Sequence, residues 1–102
     1  MKAYIISDNM DTLVSMQLAG VDGVVVHNKT DIIEFLDRFC NDKSIGIIII
    51  TEKIGELAKD KIDKIRLYKK LPLIIEVPDR FGTSKEDGYI LKYIKSCIGI
   101  NL

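Results

Sequence analysis

The stretch "GIIIIT", residues 46–51, holds four consecutive isoleucines between a glycine and a threonine. An unbroken run of β-branched residues, without polar residues in alternation, is typical of a strand that is covered on both faces. Such a strand lies inside a parallel sheet that has helices packed on either side. The stretch therefore predicts an α/β domain.

Three further apolar runs of similar length accompany this stretch along the chain. They are "AYIIS" (3–7), "GVVVH" (23–27) and "PLIIEV" (72–77). Each is rich in isoleucine or valine and continuous, so each predicts another buried strand of the same sheet.

Segments with helical period fill the intervals between these strands. A short helix over 11–19 is expected to end at Gly20, and longer helices are expected over 30–40 and 52–69. The predicted apolar faces of the two longer helices are Ile32, Ile33, Leu36, Phe39 and Cys40 for the first, and Ile54, Leu57, Ala58, Ile62, Ile65 and Tyr68 for the second.

The alternation of strands and helices predicts one doubly wound α/β body over residues 1–78. Right-handed crossovers lead to a four-stranded parallel sheet in the order 2-1-3-4, flanked by helices. After it, the stretch "PDRFGTS" predicts a connecting loop at 79–84, and 85–102 predicts a C-terminal amphipathic helix.

Composition restricts the function classes that remain. The 102 residues include 15 basic and 15 acidic side chains, so no net charge favours nucleic acid or anionic lipid. No apolar run approaches the roughly 20 residues that cross a bilayer. Cys40 and Cys97 have no second Cys or His nearby, so the sequence predicts free thiols in a reducing cytoplasm and no zinc site.

The predicted carboxyl ends of the strands are where a site would form in such a sheet. Asp8, Asp11, Glu52 and Asp79 cluster there by sequence and could hold Mg²⁺ in a receiver-like or small-ligand-binding regulatory domain. A phosphoacceptor receiver, however, needs an aspartate at the end of the third strand, where this chain has Thr51. Capping and turn formation are the competing roles for Asp8, Asp11 and Asp79.

No motif in the sequence predicts a catalytic or cofactor site. Neither G-x-G-x-x-G nor G-x-x-x-x-G-K-[ST] occurs, so no glycine-rich turn is available to approach phosphates. The lone histidine, His27, has no Ser or Cys in its own loop, and a structural or merely exposed role is favoured. We therefore predict no catalytic residues, no cofactor and no metal ligands.

The C-terminal helix carries more apolar surface than an outer helix needs. One function of such a face is to seal the sheet, and the other is to pack on a partner helix or coiled coil. Tyrosine is enriched at protein interfaces, which favours the second function. The candidate partner-binding residues are Tyr89, Ile90, Tyr93, Ile94 and Ile98.

Three pieces of the chain, in this order, carry a resemblance to a known family: "DTLVSMQLAGV" (11–21), "IIIITEKIGELAKDKID" (47–63) and "LPLIIEVPD" (71–79). Together with the length of the chain, they resemble the F subunit of the V-type and archaeal A-type rotary ATPases. The resemblance extends over essentially the whole sequence.

This resemblance implies a Rossmann-like, non-catalytic subunit of the central stalk, or rotor. It implies binding through the C-terminal helix to the coiled-coil D subunit, which forms the shaft, and modulation of ATP hydrolysis in the catalytic A and B subunits. The complex would couple ATP to proton or sodium transport, with this chain peripheral on the cytoplasmic side of the membrane. The regulatory-domain alternative relies on the acidic loops instead.

Overall fold

A computed structural model describes residues 2–69 and 71–78 of the chain. Its elements, in chain order, are β1 (Lys2–Ser7), α1 (Met10–Leu18), β2 (Asp22–Val25), α2 (Lys29–Cys40), β3 (Ile45–Thr51), α3 (Glu52–Leu57), α4 (Lys59–Tyr68) and β4 (Leu73–Val77).

The strands form one parallel sheet in the order β2-β1-β3-β4. Ile5 of β1 lies opposite Gly23 on one side and Ile49 on the other, and Ile49 lies opposite Ile75 of β4. The predicted α/β fold class, strand direction and strand order are confirmed. In this order β2 and β3, which are consecutive in the chain, lie on opposite sides of β1.

The isoleucine run in β3 is buried because helices cover both faces of the sheet. Ile48 and Ile50 contact the core formed with α2, α3 and α4, whereas Ile49 belongs to the core on the α1 side. These three side chains are exposed by at most 1%. Alternate residues of a strand point to opposite faces of the sheet. Because both faces are covered by helices here, every residue in the middle of the strand is apolar, and the isoleucine run is continuous.

Helix α1 is bounded by capping interactions at both ends. The Asn9 side chain accepts a hydrogen bond from the backbone N–H of Thr12 at 2.8 Å. At the other end, Gly20 has φ +87° and donates to the carbonyl of Gln17, and Val21 donates to that of Met16. This is a Schellman motif, and it confirms that Gly20 closes the helix.

The prediction of a single helix over 52–69 is wrong, because the structure has two helices there, α3 and α4. It is divided at Ala58, whose φ of −118° and ψ of 27° separate α3 from α4. Ile54, Ala58, Ile62 and Ile65 are buried as expected, but Leu57 is 43% and Tyr68 79% exposed. The buried residues keep helical spacing across the break. The reason is that the Ala58 backbone N–H still donates to the Ile54 carbonyl, and the Ala58 carbonyl still accepts from the Ile62 N–H.

The remaining predictions about segments fall partly or wholly outside the described residues. The body predicted for 1–78 contains all of the described elements. The connecting loop at 79–84, the C-terminal helix at 85–102 and its interface residues lie beyond them.

Candidate functional site

The topology places the candidate site above the carboxyl ends of β1 and β3. The crossover from β1 leads to one neighbouring strand, β2, whereas β3 lies on the other side of β1. The loops that follow β1 and β3 therefore leave the sheet in different directions, which is the switch point where α/β sheets bind ligands. Here, the loop after β1 carries Asp8, and Thr51 ends β3.

Asp8 and Thr51 are joined by hydrogen bonds across this switch point. The Thr51 hydroxyl donates to Asp8 Oδ1 at 2.7 Å, and it accepts from the Asp8 backbone N–H at 3.3 Å. Asp8 Oδ1 also accepts from Asn9 Nδ2 at 3.3 Å. Thr51 is fully buried, so its hydroxyl has its partner within the protein.

The rest of the loop is closed by local hydrogen bonds. The Ser7 hydroxyl donates to the Asn9 carbonyl at 2.7 Å and accepts from the Asn9 N–H at 3.0 Å. Asn9 in turn caps α1 through Thr12. The cap therefore comes from Asn9, and not from Asp8 or Asp11 as the carboxylates suggested, because Asn9 occupies the position at which the chain enters the helix.

This arrangement leaves little chemistry available at the switch point. The N-terminal N–H of α1 that would face an anion is engaged by Asn9, and the Asp8 carboxylate joins two strand ends. Asp11 and Glu52 are exposed. Within residues 2–69 and 71–78, no group of three or more His, Cys, Asp or Glu side chains could hold a metal ion. The hydrogen bonds of Ser7, Asp8, Asn9 and Thr51 therefore have a structural role, and we call these four residues the clasp.

His27 and Asn28, after β2, lie apart from this clasp. His27 is exposed, and Asn28 caps α2 by accepting from the Asp31 N–H at 2.9 Å while donating to the Asp31 carboxylate at 2.9 Å. Asp79 and Arg80, which follow β4 in the sequence, fall outside the described residues. Among the strand-end residues that the structure describes, Asp8 and Thr51 are joined by a side-chain hydrogen bond between the ends of two different strands.

A shallow groove lies between α3, α4 and β4. Its volume is about 180 Å³, and it is lined by Ile50, Gly55, Glu56, Lys59, Ile62, Asp63, Arg66 and Glu76. Sites for small organic ligands usually measure roughly 300–1,000 Å³ and are mostly apolar. The charges here are of both signs, and Arg66 already donates to the Ile74 carbonyl at 3.0 Å. The groove is therefore smaller and more heavily charged than a usual site for a small organic ligand.

Two titratable groups among residues 2–69 and 71–78 have shifted pKa values, and neither shift suits a catalytic role. Burial raises the pKa of the Cys40 thiol, which keeps it protonated at neutral pH and therefore weakly nucleophilic. Hydrogen bonds from the side chain and backbone of Ser44 lower the pKa of the Asp42 carboxyl, which stabilises the exposed turn before β3.

A surface that the sequence did not lead us to expect lies on α1. Met10, Val14 and Leu18 are 59%, 44% and 82% exposed, although all three are large apolar side chains. The signal was present in their spacing of four residues, which places all three on one side of the helix.

Comparison of the sequence with known proteins shows the family of this chain. The model of the ATP synthase (F/14-kDa) subunit family matches residues 3–94. The chain belongs to this family. The match extends from the second residue of β1 through β4 and into the C-terminal segment, so the resemblance stated from the sequence is confirmed.

Several archaeal relatives of the F/14-kDa subunit family agree with this assignment. The F subunit of the A-type ATP synthase of Methanosphaera stadtmanae is 40% identical over 94 residues, which cover 90% of this chain and 88% of the relative. The F subunit of Methanocaldococcus jannaschii is 30% identical over 103 residues, covering 100% and 99%. That of Methanothermobacter thermautotrophicus is 35% identical over 94 residues, covering 90% and 88%. This F-family chain is an accessory, non-catalytic subunit of a rotary ATPase.

The clasp leads to a first prediction, which concerns Thr51→Val. Valine keeps the shape and the strand propensity but removes the hydroxyl shared with Asp8, so we expect a loss of about 1–2 kcal/mol of unfolding free energy. Urea denaturation followed by circular dichroism measures the loss. Thr30→Val, at an exposed helical position, is the control and should be near neutral. Equal stability of Thr51→Val and wild type would contradict a structural role for the clasp.

Proposed function

We propose that the chain is a central-stalk subunit of a V/A-type ATP synthase that docks on the coiled-coil D subunit, called the shaft subunit from here on. The observation that carries this proposal is the family match over residues 3–94. The closed switch point supports it, because the fold's usual ligand position is occupied by the chain's own hydrogen bonds.

The body supplies a rigid platform for docking. Its sheet is covered on both faces, and Lys61 of α4 forms a 2.7 Å ion pair with Asp37 of α2, which ties two outer helices together. Rigid, pre-formed surfaces lower the entropic cost of association. A protein that transmits torque or position in a rotor benefits from such a body.

The C-terminal helix is the proposed contact with the shaft subunit. Its residues lie outside those described, and the assignment rests on their sequence: apolar and tyrosine side chains at helical spacing follow a loop rich in turn formers. We assign the contact to Tyr89, Ile90, Tyr93, Ile94 and Ile98.

The chain is proposed to modulate ATP hydrolysis in the A/B head, which contains the nucleotide sites, in a complex that couples ATP to proton or sodium transport. No helix in the described part of the chain is long and apolar enough to span a membrane. We propose a peripheral position on the cytoplasmic side of the complex.

A second prediction tests the shaft contact with Ile94→Asp. A carboxylate placed in an apolar helix–helix interface must be desolvated without a partner, so we expect the affinity for the purified shaft subunit to fall by about 100-fold or more. Isothermal titration calorimetry measures this affinity. Lys92→Ala is the control on the same helix, because Lys92 lies outside the apolar face.

The fold of the variant is checked by circular dichroism. Unchanged binding of Ile94→Asp would contradict the assigned residues, whereas the failure of the wild-type chain to bind the shaft subunit would contradict the proposed function itself.

A further inference from the structure

The sheet has an open edge on each side within the described part of the chain. There, β2 pairs with β1 alone and β4 pairs with β3 alone, so each of these two strands has one side that no described strand covers. An edge of this kind presents backbone N–H and C=O groups that can pair with a strand of another molecule. Natural sheets carry features that prevent this pairing, and charged side chains at the edge are among them.

A carboxylate occupies the open side of β2. Directly after this strand, the Val26 N–H donates to the Ser7 carbonyl of β1 at 2.9 Å. Successive N–H groups of an extended chain point to opposite sides, and Gly23 lies three residues earlier, so the Gly23 N–H points away from β1. The Asp22 Oδ1 atom accepts a hydrogen bond from this N–H at 2.8 Å, and Asp22 is exposed. A donor that an added strand would need is therefore already engaged.

A guanidinium occupies the open side of β4. The Arg66 Nη2 atom donates to the Ile74 carbonyl at 3.0 Å, although Arg66 belongs to α4 and is exposed. Ile50 and Ile74 cover the face of β3 and β4 that α4 packs on, and they are 1% and 5% exposed. Because these side chains close the face, the guanidinium reaches the carbonyl from the open edge. An acceptor that an added strand would need is engaged there.

The two engaged groups are complementary, because one is an N–H on β2 and the other a C=O on β4. They are the donor and the acceptor that would face each other if β2 of one copy paired with β4 of the next. Such a contact is head to tail, and it leaves an open edge at each end, so it can continue into a filament. Hydrogen bonds that involve an ionised group are stronger than those between neutral groups, so a backbone group does not readily displace either side chain.

We propose that Asp22 and Arg66 are edge caps, which keep copies of this chain from joining sheet to sheet. The partner that they exclude is a second copy of the chain, because its own two edges supply the matching strands. β4 has the composition of a strand that pairs readily, since "LIIEV" holds four apolar residues and one charge. The inference concerns the free chain, so it holds whether or not the chain docks on the shaft subunit.

The test combines Asp22→Ala with Arg66→Ala in the full-length chain and measures self-association by sedimentation velocity. This double variant loses one acidic and one basic side chain, so the net charge of zero is unchanged and cannot explain an association. We expect the wild type to sediment as a monomer, and the double variant to associate into filaments about tenfold more strongly or more. The amide I region of the infrared spectrum shows whether intermolecular strands have formed.

Three further variants separate the edge caps from general effects of lost charge. Glu34→Ala combined with Arg38→Ala removes an exposed ion pair of 3.5 Å within α2, again one charge of each sign, and should stay monomeric. Arg66→Ala alone uncaps only β4, so it should stop at a dimer in which two β4 edges pair. Arg66→Lys keeps a charged side chain at this edge and should stay monomeric.

A double variant that stays monomeric, with the circular dichroism of the wild type, would overturn the proposal. Equal association of the α2 control or of Arg66→Lys would overturn it too, and so would association without an intermolecular strand signal in the infrared spectrum. If the double variant does not fold, Arg66→Ala alone decides: a folded dimer supports the edge caps, whereas a folded monomer contradicts them.

Discussion

Replacing Gly23 by alanine is expected to lower the free energy of unfolding by about 2–3 kcal/mol. Gly23 lies in β2 opposite Ile5, and a Cβ atom at Gly23 would overlap the carbonyl oxygen and the Cγ2 atom of Ile5. Because one of these atoms belongs to the backbone of a strand that is paired on both sides, β2 has to shift away and its ladder hydrogen bonds weaken.

Gly20→Ala is the matched control for this prediction. Nothing lies within 4 Å of the position of a Cβ at Gly20, but its φ of +87° is unfavourable for alanine, which costs about 1 kcal/mol. Urea denaturation of both variants separates the two effects. A neutral Gly23→Ala, or one that is milder than Gly20→Ala, would contradict the close approach of β1 and β2.

Replacing Ile48 by alanine is expected to remove about 3–4 kcal/mol of stability. Ile48 is fully buried on an inner strand, in the core that faces α2, α3 and α4, and the truncation leaves a cavity that these helices cannot readily fill. The loss appears as a lower urea concentration at the midpoint of denaturation, while the slope of the unfolding free energy against urea concentration (the m-value) is unchanged.

The neighbouring residue provides the control for Ile48→Ala. Ile47 points to the opposite face of β3 and is only partly buried, so Ile47→Ala should cost about half as much. A larger loss from Ile47→Ala than from Ile48→Ala would mean that the two faces of the strand are assigned the wrong way round.

The sheet was predictable from sequence because its signal is local and strong. Continuous Ile and Val runs such as 46–51 are typical of strands with both faces covered, and the handedness of crossovers then leaves few strand orders. Gly20 was predictable too, since a helix that ends in a left-handed residue favours glycine at that position.

The division between α3 and α4 was not predictable, because no residue at the break marks it. Ala58 is a strong helix former, and the buried residues before and after it keep helical spacing. The exposure of Leu57 and Tyr68 is the consequence, and it depends on how α3 and α4 pack against the sheet. Tertiary packing overrides local propensity at such points.

The candidate site, too, could be predicted only in part from the sequence. The sequence indicated which residues gather at the strand ends, because topology brings those ends together. It could not indicate that the Thr51 hydroxyl would bond to Asp8, since the two residues are 43 positions apart and each is common in turns. The exposure of Met10, Val14 and Leu18 was not predicted, because apolar residues on a short helix are first assigned to the core.

Isolation of the affinity-tagged chain from detergent-solubilised native membranes, with its companions identified by mass spectrometry, would test the rotor assignment itself. We expect the nucleotide-binding A and B subunits and the coiled-coil shaft subunit to be recovered together with the tagged chain. Recovery of the tagged chain alone, from a preparation in which the ATP synthase is shown to be intact, would contradict its place in the central stalk.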